Sequence, residues 1–112
     1  MSKYRDLNVL DAADQVADEV NRLIDTSPRR LIYETQLRNA AQSISANISE
    51  GFGRGKGPER NHKLRIARGE AEEAIRHLRS NLKSDRIGER TYWPIRNRLV
   101  TISKMLSSLL AA

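Results

Sequence analysis

The sequence predicts an all-α chain, an antiparallel up-down four-helix bundle, on three observations. Apolar residues recur at helical spacing in four separate segments. No segment alternates apolar and polar residues over a useful length, so no strand is assigned. Arg, Leu, Ala, Ser and Glu dominate while aromatic residues make up 4% of the chain, a composition that favours helix. Four amphipathic helices with short connections pack most simply up and down around one core.

The first segment carries Leu10, Ala13, Ala17, Val20 and Ile24, and ends near "DTSPRR", where Pro28 marks a turn or a new helix start. The second carries Leu37, Ala40, Ala41, Ile44 and Ile48 and is expected to stop at Gly51, as a left-handed terminal residue. The third runs from Pro58 through Leu64, Ala67, Ala71, Ile75, Leu78 and Leu82, and stops before Gly88. The fourth carries Ile95, Leu99, Ile102, Leu106 and Leu109, with Thr91 expected as N-cap and Pro94 in the first turn. Met105 and Leu110 widen its apolar arc to roughly 140°, which suits either a wide core face or a second subunit.

The 112 residues fit one domain, 1–112, with one core. The absence of cysteine excludes disulfides and thiolate metal sites and suits a reducing compartment. No apolar run approaches the roughly 20 residues of a membrane span, and the opening "MSKYRDLNVLDAADQ" has no h-region. The expected location is cytoplasmic.

Net charge is +6, unevenly spread: residues 1–25 hold six acids and three bases, residues 54–112 fourteen bases and six acids. On the third helix Arg65, Arg68, Arg76, Arg79, Lys83 and Arg86 fall on one face, interrupted by Glu72. On the first helix Asp11, Asp14, Asp18 and Asp25 share a face. Three roles are open to these stripes. They can pair with each other, within one bundle or between subunits. The basic one can face a nucleic-acid backbone. Or both are solvated faces making weak pairs.

The glycine-rich stretch "NISEGFGRGKGPERNHK" fails as a nucleotide loop. A Walker loop needs Ser or Thr after the lysine, but Gly57 follows Lys56, and Glu50 stands where its first glycine belongs. A dinucleotide fingerprint beginning at Gly51 and Gly53 requires glycine where Lys56 stands. The stretch reads as a pliable joint, with Arg54, Lys56, Arg60 and Lys63 adding positive charge at the start of the third helix. Catalysis has little support. His62 and His77 match no metal-pair spacing on one helix, Ser43, Ser45 and Ser49 lack a His and Asp constellation nearby, and Glu70, Glu72 and Glu73 read as a solvated run. No cofactor is expected.

"QLRNAAQSISANISEGFGRG", Gln36 to Gly55, resembles the signature Q-L-R-R-A-A-x-S-I-x-x-N-I-A-E-G-x-G-R of the 23S rRNA intervening-sequence protein family, also called the four helix bundle protein family. Gln36, Arg38, Ser43, Asn47, Glu50 and Gly51 are among the matching positions. "YRDLNV" is similar to the family's opening, "RIARGEAEE" to its I-A-x-G-S-x-x-E and "ISKMLSSLL" to its closing helix. The chain departs from the family at Arg60 and Lys63, where aromatic residues are usual, and at Glu70, where Ser is usual. Arg60 would fall within the third helix's apolar arc, so a frayed or wetter end is expected there.

The resemblance implies a four-helix bundle assembling into a ring-like homopentamer. The family is related to accessory proteins of diversity-generating retroelements, which bind reverse transcriptase and nucleic acid through a basic surface. It therefore makes RNA or DNA, and a protein partner such as a reverse transcriptase, plausible. The reading is a non-enzymatic oligomer binding nucleic-acid backbone through Arg54, Lys56, Arg65, Arg68, Arg76, Arg79 and Lys83. The alternative is an assembly or adaptor module with no nucleic-acid role. Asn47, Glu50 and Ser43 are read as structural, because a buried polar group needs partners.

Overall fold

The computed structural model describes residues 2–112, with side chains described from residue 8 onward. Four helices follow one another: α1 (Ser2–Thr26), α2 (Glu34–Gly53), α3 (Pro58–Lys83) and α4 (Glu89–Ala111). They form an antiparallel bundle with extents of 43 × 21 × 19 Å. Helices α1 and α2 are neighbours, as are α2 and α3, α3 and α4, and α4 and α1. Helices α1 and α3 therefore occupy diagonal corners, and so do α2 and α4.

The core is a continuous apolar cluster drawn from all four helices, with Leu37, Ile44, Ile48, Leu64, Leu78, Leu99, Ile102 and Leu106 among its fully buried side chains. The α2–α3 pair makes the most extensive contact. Small buried residues permit it: Ala40, Ala41 and Gly51 on α2, and Ala67, Ala71 and Ala74 on α3. Gly51 lies inside α2, not at a left-handed stop. A Cβ there would meet Lys63 Cβ at 3.2 Å and the Arg60 carbonyl at 3.3 Å, so glycine serves close helix approach. The left-handed glycines are Gly55 (φ 74°) and Gly57 (φ 147°), in the link before α3.

Two core faces lie slightly rotated from expectation. On α1 the buried residues are Val9, Ala13, Val16, Val20 and Ile24, with Leu10 half-buried at the rim. On α3 Ala74 and Asn81 are buried while Ile75 and Leu82 sit half-buried at the edge. Helix α4 starts earlier than the Thr91 N-cap expected for it. Gly88 is its N-cap, its carbonyl accepting the Thr91 and Tyr92 N–H groups, and Pro94 sits inside the helix. Burial of Ile87 and Tyr92 fixes this earlier start.

Asn81 is fully buried and ties three segments together. Its Oδ1 accepts the Ile32 N–H at 2.7 Å, and its Nδ2 donates to the Ile32 carbonyl at 3.0 Å and the His77 carbonyl at 2.8 Å. Its own carbonyl accepts the Arg86 N–H at 2.8 Å. Replacing Asn81 with Ala leaves both peptide groups of Ile32 without this partner. Asn81→Ala is expected to lower unfolding free energy by about 2–3 kcal/mol, measured by urea denaturation monitored by circular dichroism.

Candidate nucleic-acid interface

The N-terminus of α3 forms because Pro58 occupies the first helical position and Glu59 lies in the first turn. Arg54 reaches forward across the link to Glu59 at 3.1 Å, so its charge is partly neutralised. Lys56 is exposed between the left-handed glycines.

Arg65, Arg76, Arg79 and Lys83 are exposed on α3, and none of their side chains has an ion-pair partner among the described residues. Glu72 is exposed among them. Arg68 is half-buried and leans toward α4, donating to the Ser107 hydroxyl at 3.1 Å. Arg86 leaves the stripe. It lies beyond the end of α3, in the turn before α4, and donates to the Arg30 carbonyl at 2.7 Å.

The Arg68–Ser107 contact shows which side of α4 borders the basic stripe. Trp93, Arg96, Val100 and Lys104 fall within roughly 60° of Ser107 on the helical wheel, so they extend the same face. Glu89 falls there too. The face thus spans two helices and carries Arg65, Arg68, Arg76, Arg79, Lys83, Arg96 and Lys104 against Glu72 and Glu89. The apolar arc of α4 dominates its sequence pattern and masks this second face. The signal that finds it is Trp93 and Arg96, three residues apart and off that arc.

The acidic stripe lies across the bundle. Asp11 and Asp18 are exposed, Asp14 accepts from the Ser45 hydroxyl on α2, and Asp25 pairs with Arg38 at 3.3 Å. Because α1 and α3 are diagonal, acidic and basic stripes do not meet within one bundle.

The signature residues are divided. Arg38 bridges α2 to α1, donating to Asn21 Oδ1 at 2.7 Å. Asn47 bonds within its own helix, to the Ser43 carbonyl at 2.8 Å and hydroxyl at 2.9 Å. Glu50 pairs with Lys63 of α3 at 3.5 Å. Gln36 is exposed. Arg60, far from frayed, is 7% exposed, and its guanidinium donates to the Leu109 carbonyl at 3.2 Å. His62 is exposed, and His77 packs on Tyr33 with ring centroids 5.2 Å apart and lies 3.5 Å from Glu73. No helix among the described residues is long and apolar enough to cross a membrane.

What the fold and face define is a four-helix bundle with one strongly basic side. A model of the 23S rRNA-intervening sequence protein family matches residues 5–108, and the chain belongs to that family. Among solved structures it is similar to a protein of unknown function from the S23 ribosomal protein family of Bacteroides thetaiotaomicron, at 24% identity and TM-score 0.89. That match covers 96% of this chain and 99% of the other. No curated protein matches.

Glu70 titrates above the ordinary carboxylate value because burial disfavours its charge, with Glu73 adding repulsion and His77 opposing both. A carboxyl with a raised folded pKa keeps its proton longer when folded. Stability therefore falls as pH rises from the ordinary carboxylate value through the raised one. Glu70→Gln is expected to remove that fall, seen as a flatter dependence of melting temperature on pH across the acidic range.

Proposed function

We propose that the protein binds the backbone of RNA or DNA through the α3–α4 face, as a homo-oligomer without enzymatic activity. The observation that carries this reading is the run of exposed bases, Arg65, Arg76, Arg79 and Lys83, on one face of one rigid helix. Like charges at helical spacing repel one another by a few tenths of a kcal/mol each. A phosphate backbone relieves that repulsion and releases counterions as it binds. Lys56 extends the positive field at one end, while Arg54 contributes less because Glu59 holds it.

One observation favours the alternative, an assembly module. The acids of α1 and the bases of α3 lie on diagonal corners, so they can meet only between copies, as in a head-to-tail ring. A reverse transcriptase or another protein with an acidic surface would engage the same bases.

Binding to duplex nucleic acid should weaken with salt. Five phosphate contacts give a slope of log affinity against log salt of about −4.5. Fluorescence anisotropy across a salt series measures it, and absence of binding at low salt, or binding without a slope, sinks the reading. Reversing Arg76 and Arg79 together to Glu separates the alternatives. A nucleic-acid face loses at least about 100-fold in affinity while the oligomer survives in analytical ultracentrifugation. An assembly face loses the oligomer.

A further inference from the structure

We propose that Trp93 is a base-stacking site, making single-stranded RNA or DNA the preferred ligand of the basic face; this rests on that face binding nucleic acid. Helix α4 sets its adjacent aromatic residues about 100° apart around its axis, one inward and one outward. Tyr92 is 3% exposed and belongs to the core, whereas Trp93 is 45% exposed. Trp93 and Tyr33 are the large exposed apolar side chains among the described residues, and Tyr33 already packs on His77. Trp93 lies on the basic face.

The indole is held in place. Tyr92 meets it edge-on, with ring centroids 5.0 Å apart and planes at 79°. The Arg96 guanidinium stands 5.4 Å from its centroid. Arg96 also donates to Asn97 at 3.0 Å, while its buried Nε–H has no acceptor among the described residues. A tryptophan braced on two sides loses little freedom when a base stacks on its remaining surface.

The surrounding charges fit a strand threaded past it. Helices α3 and α4 run antiparallel with Arg68 beside Ser107. Equal steps along both from that contact bring Arg79 level with Arg96, and Trp93 level with the last turn of α3, which carries Lys83. Arg79, Arg96 and Lys83 thus flank the indole where the phosphates on either side of a stacked base would pass. Within a duplex each base face is covered by its neighbours. A single strand presents free base faces, and aromatic stacking accepts any base. The arrangement selects for strandedness and not for sequence.

Trp93 is the one tryptophan in the chain, so its fluorescence reports the site directly. Titration with oligo(dT) or oligo(U) is expected to quench it, and titration with a mixed-sequence duplex to leave it unchanged. Trp93→Ala is expected to weaken binding of labelled oligo(dT) by about 5- to 150-fold, with duplex affinity and helicity unchanged and partial recovery in Trp93→Phe. Binding of single strands without quenching, or equal losses for both ligands in Trp93→Ala, overturns the stacking site and leaves the basic face standing. Absence of all nucleic-acid binding overturns both. Indole fluorescence shielded from acrylamide in the free protein, with the shielding lost on dilution, places a second copy on Trp93 and also overturns the proposal.

Discussion

The bundle depends on one buried amide. Asn81 imitates a peptide group, giving Oδ1 and Nδ2 to the N–H and carbonyl of Ile32 as a neighbouring strand would. An amide taken out of water with its hydrogen bonds unmade costs several kcal/mol, so the site tolerates Asn only because its donors and acceptor are all engaged. What it holds is the α1–α2 link. Tyr33, next in the chain, adopts a left-handed conformation (φ 57°), which disfavours a non-glycine residue by about 1–2 kcal/mol. Clamping Ile32 and packing Tyr33 on His77 offset that strain. The course of α1 across the bundle then follows from the direction in which the link leaves.

A buried polar contact also secures the other end of α3. The Arg60 guanidinium has no carboxylate within reach among the described residues; it uses the Leu109 carbonyl and the Asn61 side chain. The C-terminal end of a helix carries partial negative charge, so a cation there is favourable without a counter-ion. Lys63, one turn on, stays free to pair with Glu50 of α2. Helix α3 is therefore fixed at both ends and packed along its length by small residues against α2. Its basic stripe sits on a stiff element, the condition under which several charges can address one ligand together.

The fold class, the four helices and the phase of the α3 stripe were legible in the sequence, because long amphipathic segments announce themselves by periodicity. The α1 and α3 core faces were harder. Apolar residues at the rim, such as Leu10 and Ile75, count in a periodicity reading as heavily as those inside, and Asn81 counts as polar although it is buried. Gly51 illustrates a second limit. Glycine after an apolar run reads as a helix stop, while its use here is a close approach to a residue more than ten positions away. Arg86 is in phase with the stripe, yet the chain has already left the helix. Trp93 and Arg96 stand off the apolar arc of α4 in the sequence, but the face they share with the α3 bases exists only once the register of the two helices is known.

The diagonal placement of α1 and α3 gives the molecule its polarity. Opposite corners of a body 21 × 19 Å across lie more than a Debye length apart, about 8 Å at physiological salt, so the stripes do little to neutralise each other. Each keeps its own field. The acidic corner repels a polyanion and the basic face attracts it, so a nucleic-acid backbone bound as proposed would approach already oriented. The same polarity draws the acidic corner of one copy toward the basic face of the next. Both encounters call on Arg76 and Arg79, so a ring built on these residues would compete with nucleic acid. A ring built on other contacts would instead array several basic faces around its rim. Avidity then rises with each subunit that a long single strand can reach. Trp93 favours the second arrangement physically, since a subunit seated on the basic stripe would need to place an apolar group against the indole, and Asp11, Asp14 and Asp18 offer none.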